Sequence, residues 1–521
     1  MKGVLASLVV AALLGPEAMS GPGGHEPGPV PTASRAGPAA DAFPTTAPSF
    51  TRQPVAPAAD TLPPVGRPGL ETLEFPPLVF DPPDADEHQV LGVTVFHFHD
   101  PALPLVDLFV QVRGGPSHLP RERMAAATAL PGLLQTGGTH DLHPDSVETR
   151  MDLLAVQLSF GGGGGGSFAA MNALTHTLDE ALPLFRDLLA RPGFDAEALE
   201  VWRGRELDRV RRRPDDPVGL AYSEFNRLIF GDHPVGWITE EEDLTEERLS
   251  PETLAEVHRR FFCRENVILG VVGDLTWEDA EPRIRDLLEP WPACEEDLPE
   301  PPLPEMRREA AVFVLPREVD QTTIVMAHPG GIRQEDSPEF FASRVADRIL
   351  GGAGLTSRLM DRLRTEMGLT YGASSLWTAP IRHEGLVGAV TSTRPDRTVE
   401  ATRTLLQILE EFRERPPTEE EVARTRDEIA NGYVFAFESA GQIVARRMGY
   451  RSLDLPDGWL ERYLEGVLAV NPEDAARVVR AHLRPDRMTI LLVGDPERFD
   501  PGLEELGRVY RISPEGRYEE W

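Results

Sequence analysis

The sequence contains little lysine, little cysteine and no long apolar run after its first residues. Lys2 is the only lysine, all other basic residues being arginine, and this usage indicates a GC-rich genome or a salty habitat rather than a chemistry. Cys263 and Cys294 are too few for a disulfide scaffold or a cysteine-based zinc site. In an oxidising compartment they can pair; otherwise they are two separate buried thiols. The sequence leaves both options open.

Positive charge is also scarce. The 52 basic residues face 85 acidic ones, so the formal net charge is −33 at pH 7. A strongly negative field repels phosphate groups. The composition therefore predicts no nucleic-acid partner and no anionic membrane partner, while basic substrates stay open.

The N-terminus has the pattern of a secretory signal. Lys2 forms a basic head, residues 4–14 form a short apolar core, and small residues precede a cleavage site near Ser20. An uncleaved anchor is the alternative, although this core is short for a bilayer. Residues 21–75 are rich in Pro, Ala, Gly, Ser and Thr and predict a disordered linker. We predict a signal peptide at 1–20, secretion to the periplasm and no membrane insertion after its removal.

A pattern of 25 residues occurs twice, at 250–274 and 471–495. Each copy opens on a Ser or Asn followed by proline, which is typical of a helix start. Each copy then ends in an apolar run closed by Gly-Asp, at Asp274 and Asp495. The repeat predicts two homologous domains in tandem.

The domain boundaries follow from composition. The acidic, proline-rich segment 295–304 is interpreted as a hinge between an N-terminal domain at 76–294 and a C-terminal domain at 305–510. Strands and helices alternate without a regular βαβ pattern, which predicts an α+β fold. Strands are expected at 93–99, 106–112, 312–315 and 322–327, and helices at 123–134, 147–155, 178–189, 196–213, 339–350 and from Thr418, where Glu421 completes a capping box.

The C-terminal domain carries a specific set of motifs. They are Leu350-Gly351-Gly352, Ser357-Arg358-Leu359-Met360, Arg362-Leu363-Arg364 and Gly368-Leu369-Thr370-Tyr371, with Gln321 on a preceding strand. Over about residues 85–500 the chain resembles the pitrilysin/insulinase-like zinc metallopeptidases, which include the mitochondrial processing peptidase and the core proteins of the respiratory bc complex. The resemblance implies two tandem α/β sandwich domains that form half of a clamshell.

The resemblance also locates a missing metal site. Active members carry His-x-x-Glu-His on a helix, with a distant Glu as third ligand, to hold zinc and activate water. Those four positions fall on Ala129, Gly132, Leu133 and Arg209, with Asp208 beside the last. The resemblance therefore implies no metal and no cofactor in this chain, and zinc is expected in a partner subunit.

Arg364 and Tyr371 match a pair that, in the family, reaches across the clamshell to the zinc site. A cation and a phenol suit the stabilisation of a developing oxyanion. The resemblance implies that this pair completes the active site of a separate chain, in trans. The alternative is that Arg364 pairs with Asp361 or Glu366 and that Tyr371 only packs on a strand.

Two other features, a glycine run and two histidine pairs, resemble known kinds of binding site. Gly161–Gly166 is a run of six glycines and is predicted to be a mobile loop; a phosphate-binding loop is not expected, because no Gly-Lys-Ser/Thr accompanies it. Non-catalytic subunits of the processing peptidase also carry a glycine-rich loop, which leaves a substrate-sensing role open. The histidine pairs His97 and His99, and His140 and His143 near Asp141, lack a third ligand at a suitable spacing, so no metal site is predicted there.

The leading interpretation is a non-catalytic subunit that pairs with a zinc-bearing homologue and contributes to peptide hydrolysis. One alternative is a structural or chaperone-like protein of the core type, with no peptidase role. Another is an active zinc metallopeptidase with atypical ligands.

Overall fold

A computed structural model describes residues 83–456, 458–513 and 516–521. The predicted signal peptide at 1–20 and the predicted linker at 21–75 lie outside these residues. Among the helices described, none is long and apolar enough to cross a membrane.

The first half of the chain folds into a six-stranded sheet with the strand order β1-β2-β6-β3-β5-β4. Only β2 and β6 run parallel; the other neighbours are antiparallel. The strands are β1 (Asp86–Val90), β2 (Val93–His99), β3 (Leu105–Arg113), β4 (Gln157–Gly163), β5 (Gly166–Leu174) and β6 (Val267–Gly273). The helices of this half are α1 (Met124–Thr136), α2 (Pro144–Leu153), α3 (Leu178–Ala190), α4 (Ala196–Arg212), α5 (Pro217–Phe230), α6 (Pro251–Phe261) and α7 (Trp277–Leu288).

The second half folds into a seven-stranded sheet with the order β13-β12-β7-β11-β8-β10-β9. Here β11 and β12 both run parallel to β7. The strands are β7 (Ala311–Pro316), β8 (Thr322–Pro329), β9 (Thr370–Trp377), β10 (Leu386–Thr393), β11 (Thr489–Gly494), β12 (Val509–Ile512) and β13 (Tyr518–Glu520). The helices are α8 (Pro338–Asp347), α9 (Arg358–Met360), α10 (Thr398–Glu414), α11 (Glu419–Val434), α12 (Ala440–Ser452), α13 (Trp459–Ala469) and α14 (Pro472–His482).

The two sheets share one topology, which confirms the predicted α+β fold and the internal repeat. The order β2-β6-β3-β5-β4 in the first sheet matches β7-β11-β8-β10-β9 in the second. The repeated 25 residues form α6 with β6 and α14 with β11, so each copy supplies the strand inserted at the same place. Ser250 and Asn471 cap these helices by accepting hydrogen bonds from the amides of Thr253 and Asp474. The predicted domain boundaries themselves stay a prediction.

Each half contributes one helix that packs on the sheet of the other half. Apolar residues of α5, from the first half, pack with Phe313 and Val325 on the second sheet. In return α12 packs on the first sheet, where Val444 and Met448 contact the face that carries Phe109. Gly270 of β6 permits this approach, because a Cβ there would lie 2.5 Å from Val444 Cγ1. The exchange buries apolar side chains of both halves in shared clusters.

Cys263 and Cys294 form a disulfide, with their Cα atoms 5.0 Å apart. This separation lies in the usual range for a disulfide. Cys263 is buried just before β6, whereas Cys294 lies in the segment after α7. The bond therefore fastens the start of the acidic, proline-rich segment to the first half, and it decides between the two options that the sequence left open.

Candidate functional site

The helix at the position of the zinc motif is buried among apolar side chains. Ala129 and Leu133, on α1, are fully buried in the core of the first half. Gly132 faces α4, where a Cβ would lie 3.3 Å from Trp202 Nε1. Pro131 adds a buried ring within the same helix. The space expected for two imidazoles and a carboxylate is therefore occupied by core packing.

The expected third-ligand position is a cation. Arg209 of α4 is largely exposed and forms an ion pair with Glu206, one turn earlier on the same helix. Glu206 is buried, and Arg209 compensates its charge. The neighbouring Asp208 is exposed. Without an imidazole, and with its nearest buried carboxylate already neutralised, this region does not fit a zinc ion.

The glycine run lies beside this helix as a β-hairpin and not as the predicted loop. Gly161–Gly163 end β4, Gly164 and Gly165 form the turn, and Gly166 begins β5. Glycine is required by close packing: a Cβ at Gly161 would lie 2.5 Å from the Phe168 ring, and one at Gly166 would lie 2.5 Å from Val112 O. Tertiary contacts therefore override the low strand propensity of glycine.

The predicted pair Arg364 and Tyr371 is brought together at the edge of the second sheet. Arg364 lies in a π-helical turn at Asp361–Glu366, and Tyr371 is the second residue of the edge strand β9. The Arg364 Cζ atom lies 4.8 Å from the centroid of the Tyr371 ring, which is cation–π geometry. Tyr371 is 84% exposed and Arg364 is half-buried, so the pair lies at the surface with the aromatic ring open to solvent.

The local ion pairs considered for Arg364 do not form. Glu366 pairs instead with Arg362, four residues before it. Within the part of the chain that the structure describes, Arg364 makes no salt bridge, and Tyr371 lies under its guanidinium rather than in the core. Arg364 therefore keeps its hydrogen-bond donors available for another molecule.

The glycines of the motif give this corner its shape. A Cβ at Gly351 would lie 2.0 Å from the backbone nitrogen of Ser375, so only glycine allows the π-helical turn Arg348–Gly352 to pack on β9. Gly368 has φ +61° and turns the chain from the helical segment into β9. The predicted helix at 339–350 accordingly ends earlier, at Asp347, and continues as this turn.

Arg358, another residue of the motif, has a structural role. Its Nε and Nη2 atoms donate to the two carboxylate oxygens of Glu421 at 2.8 and 2.7 Å. Its guanidinium also lies 4.9 Å from the centroid of the buried Phe412 ring. Glu421 completes the capping box with Thr418 at the start of α11, as predicted. Arg358 thus ties the corner that holds Arg364 to the N-terminus of α11.

This contact predicts a pH dependence of stability. Burial alone would raise the pKa of Glu421, but hydrogen bonds from Arg358 and Thr418 lower it to about 2. Because the folded-state pKa lies below the usual 4.5, the stabilisation is complete above pH 4.5 and is lost as the pH falls toward 2. Glu421→Gln should lower the free energy of unfolding by about 2 kcal/mol at pH 7, and by progressively less below pH 4.5. Urea unfolding at several pH values measures the difference.

Glu419→Gln is the matched control, since Glu419 is exposed in the same first turn of α11. It should leave stability nearly unchanged at every pH. A Glu421→Gln deficit of the same size at pH 3 and pH 7 would contradict the assignment.

An open cavity of about 670 Å³ lies at the second sheet where β8 begins and β10 ends. It adjoins β10, where Ser392 lines the cavity and its carbonyl accepts a hydrogen bond from Thr370, the neighbour of Tyr371. Of its lining residues, Gln321 belongs to the motif set and Asp495 ends the repeat, but neither pattern predicts a cavity. The walls are formed by Pro217, Val218, Glu318, Val319, Asp320, Gln321, Thr323, Ser392, Asp495 and Arg498. With three carboxylates and one guanidinium, the cavity is acidic at neutral pH.

The histidine pairs separate into two kinds. His140 and His143 are exposed and contact Asp141 and Asp145 respectively, without a third ligand among the described residues. His97 instead lies near Asp86 and His88 of β1, which sequence reasoning missed. The signal was available, because Asp86 and His88 are two residues apart and so share one face of a strand.

Comparisons with known proteins agree with this architecture. Residues 248–429 match the family model described as the peptidase M16 inactive domain. The chain is 24% identical over 332 residues to an uncharacterised zinc protease of Streptomyces coelicolor, covering 61% of this chain and 71% of that one. The chain is thus similar to the pitrilysin/insulinase-like M16 family. This confirms the resemblance inferred from the motifs.

Two further relatives are of the inactive type. The chain is 20% identical over 410 residues to the non-peptidase homologue YmxG of Helicobacter pylori, covering 78% of this chain and 93% of that one. A crystal structure of a peptidase M16 inactive domain from Pseudomonas fluorescens superposes with a TM-score of 0.70 at 22% identity, over 80% of this chain and all of that one. The findings together support an inactive M16-like protein.

Proposed function

We propose that this chain is the non-catalytic subunit of a two-chain peptidase and that it supplies Arg364 and Tyr371 to the active site of a zinc-bearing homologue. The observation that carries the proposal is the Arg364–Tyr371 stack, in which Tyr371 is exposed and the half-buried guanidinium has no ion-pair partner within the described residues. Such a stack has no evident use inside this chain, whereas the helix that would hold zinc is filled by its own core.

The chemistry assigned to the pair is electrostatic. The zinc, held by the partner, would supply the activated water and the Lewis acid. Arg364 would bind the scissile carbonyl oxygen as negative charge develops there, and the Tyr371 phenol would donate a second hydrogen bond. Because Arg364 lies on the Tyr371 ring, each side chain restricts the other before substrate arrives.

The acidic cavity at the second sheet supports a basic peptide as substrate. Glu318 and Asp320 precede β8 and Asp495 follows β11, so these carboxylates lie two or more strands from β9. They would hold a basic side chain of an extended peptide at a distance from Tyr371. We further propose that the protein acts after secretion to the periplasm, since the first residues have the signal pattern described above.

Reconstitution tests this function. The partner should co-purify with this chain from the native host and carry an intact His-x-x-Glu-His motif. Neither chain alone should hydrolyse peptides, whereas the mixture should. A stable complex that never hydrolyses peptide would favour the structural or chaperone-like alternative. Full activity of the partner without this chain would contradict the proposal.

A further inference from the structure

The edge hairpin of the first sheet carries three metal-binding side chains on one face. Asp86 and His88 are two residues apart on β1, and Asp86 lies directly opposite His97 of β2 in the strand register. One possible ligand atom of each residue lies within 4.8 Å of those of the other two. The β-sheet therefore brings together a carboxylate and two imidazoles that are separated in sequence.

His97 is held in the orientation of a metal ligand. It is buried, and its Nε2 atom lies 2.8 Å from the carbonyl oxygen of Leu275. Only a protonated Nε2 can donate to that carbonyl, which leaves Nδ1 as the nitrogen with a free lone pair. Metal-bound histidines are typically fixed in this way, with the second nitrogen donating to a carbonyl or carboxylate.

His88 is fixed by aromatic packing rather than by a hydrogen bond. Its ring stacks on Trp277 at a centroid distance of 3.6 Å and an interplanar angle of 7°, and it meets the His97 ring edge-on at 6.2 Å. Its Nε2 atom is buried and, among the described residues, has no hydrogen-bond partner. Stacking occupies the ring face only, so the in-plane nitrogens stay available, and a buried nitrogen without a partner is costly.

We propose that Asp86, His88 and His97 bind a divalent transition-metal ion of the zinc type. Two imidazole nitrogens and one carboxylate oxygen are a donor set that zinc accepts in tetrahedral sites, with the fourth position open to water or to His99 on the same face. Tetrahedral bonds of about 2.1 Å place the ligand atoms about 3.4 Å apart. The exposed Asp86 side chain can close the remaining gap by rotation.

This site is distinct from the degenerate zinc motif. β1 and β4 are opposite edges of the six-stranded sheet, five strand spacings or roughly 24 Å apart, and α1 packs against β4. The site therefore stands independently of the proposed peptidase role. A bound ion would join β1 to β2 and stabilise the first hairpin of the fold.

Calorimetric titration of the full chain with Zn²⁺ tests the site. The chain should bind one equivalent, Asp86→Asn should weaken binding at least ten-fold, and His88→Asn should abolish it. Glu87→Gln is the matched control, because Glu87 is exposed on the opposite face of the same strand and should bind like wild type. Equal affinity in all four proteins, or no binding to the wild type, would overturn the proposal.

Two measurements locate the ion and separate binding from misfolding. X-ray absorption of the zinc-loaded chain should show two imidazole ligands, or three if His99 takes the fourth position, and Zn²⁺ should raise the melting temperature of wild type and Glu87→Gln but not of folded His88→Asn. Loss of binding in His140→Asn/His143→Asn, with binding kept in His88→Asn, would place the ion on the exposed loop and overturn the site. Because of this site, zinc on the purified chain is by itself no sign of a peptidase centre.

Discussion

Replacing Arg364 by alanine is expected to lower kcat/KM for peptide hydrolysis by the assembled pair about 10²–10³-fold, while complex formation is unchanged. This is the usual cost of removing one preorganised donor from an oxyanion site. The side chain makes no ion pair in the described part of the molecule and its neighbour Tyr371 is exposed, so its removal leaves the core intact. Steady-state kinetics on a defined peptide, with the complex quantified by size-exclusion chromatography, measures the effect.

Arg362→Ala is the matched control, because Arg362 lies in the same π-helical segment but is already paired with Glu366. It should change kcat/KM by less than two-fold, because an exposed ion pair contributes little free energy. Tyr371→Phe tests the hydroxyl separately from the aromatic ring, since it keeps the ring surface under Arg364 and removes only the hydroxyl. Unchanged turnover in Arg364→Ala would contradict the proposed contribution in trans.

Much of the fold is predictable because it is encoded locally. The bounds of β2 agree with the expected strand at 93–99, and the capping box of Thr418 and Glu421 opens α11 as expected. The 25-residue repeat also follows from local signals, since a capped helix and an apolar strand need no distant contact to be recognised. The order of the five strands that the two sheets share then follows from duplication.

What escaped prediction depends on contacts distant in sequence. The strands at the glycine run require glycine because Phe168 and Val112 leave no space for a Cβ. The run of glycines in the sequence does not reveal these neighbours. The packing of α5 on the second sheet and of α12 on the first depends on contacts between residues far apart in the sequence. The Asp86, His88 and His97 cluster depends on the register of β1 with β2.

The candidate site divides in the same way. The motifs identified Arg364 and Tyr371 as a pair of interest, but not that one lies on the other or that Glu366 is taken by Arg362. Arg358 was identified by the same motifs, yet its contacts with Glu421 and Phe412 give it a structural role. A family motif therefore marks a corner of the fold, and contacts decide which of its residues face a substrate.

Restoring the zinc motif by Ala129→His, Gly132→Glu, Leu133→His and Arg209→Glu is expected to destabilise the chain rather than to recover a metal site. Two imidazoles would replace fully buried carbon side chains, at about 2–3 kcal/mol each for unsatisfied polar atoms. A side chain at residue 132 would also meet Trp202, and the fourth change would leave the buried Glu206 without its cation. The total of about 5 kcal/mol is comparable to the whole stability of many domains.

Urea unfolding at pH 7 measures this loss, and zinc analysis of the same protein measures any gain. The zinc analysis belongs in a His88→Asn background, so that an ion at the edge hairpin is not counted. Arg209→Glu alone is an informative intermediate, because it places a second carboxylate beside Glu206 and should destabilise the chain without touching α1. Tightly bound zinc with wild-type stability in the fourfold variant would mean that the core around Leu133 can repack around the new side chains without loss of stability. The missing ligands would then be the only barrier to activity, whereas the fully buried positions of Ala129 and Leu133 indicate that the core has closed over the site.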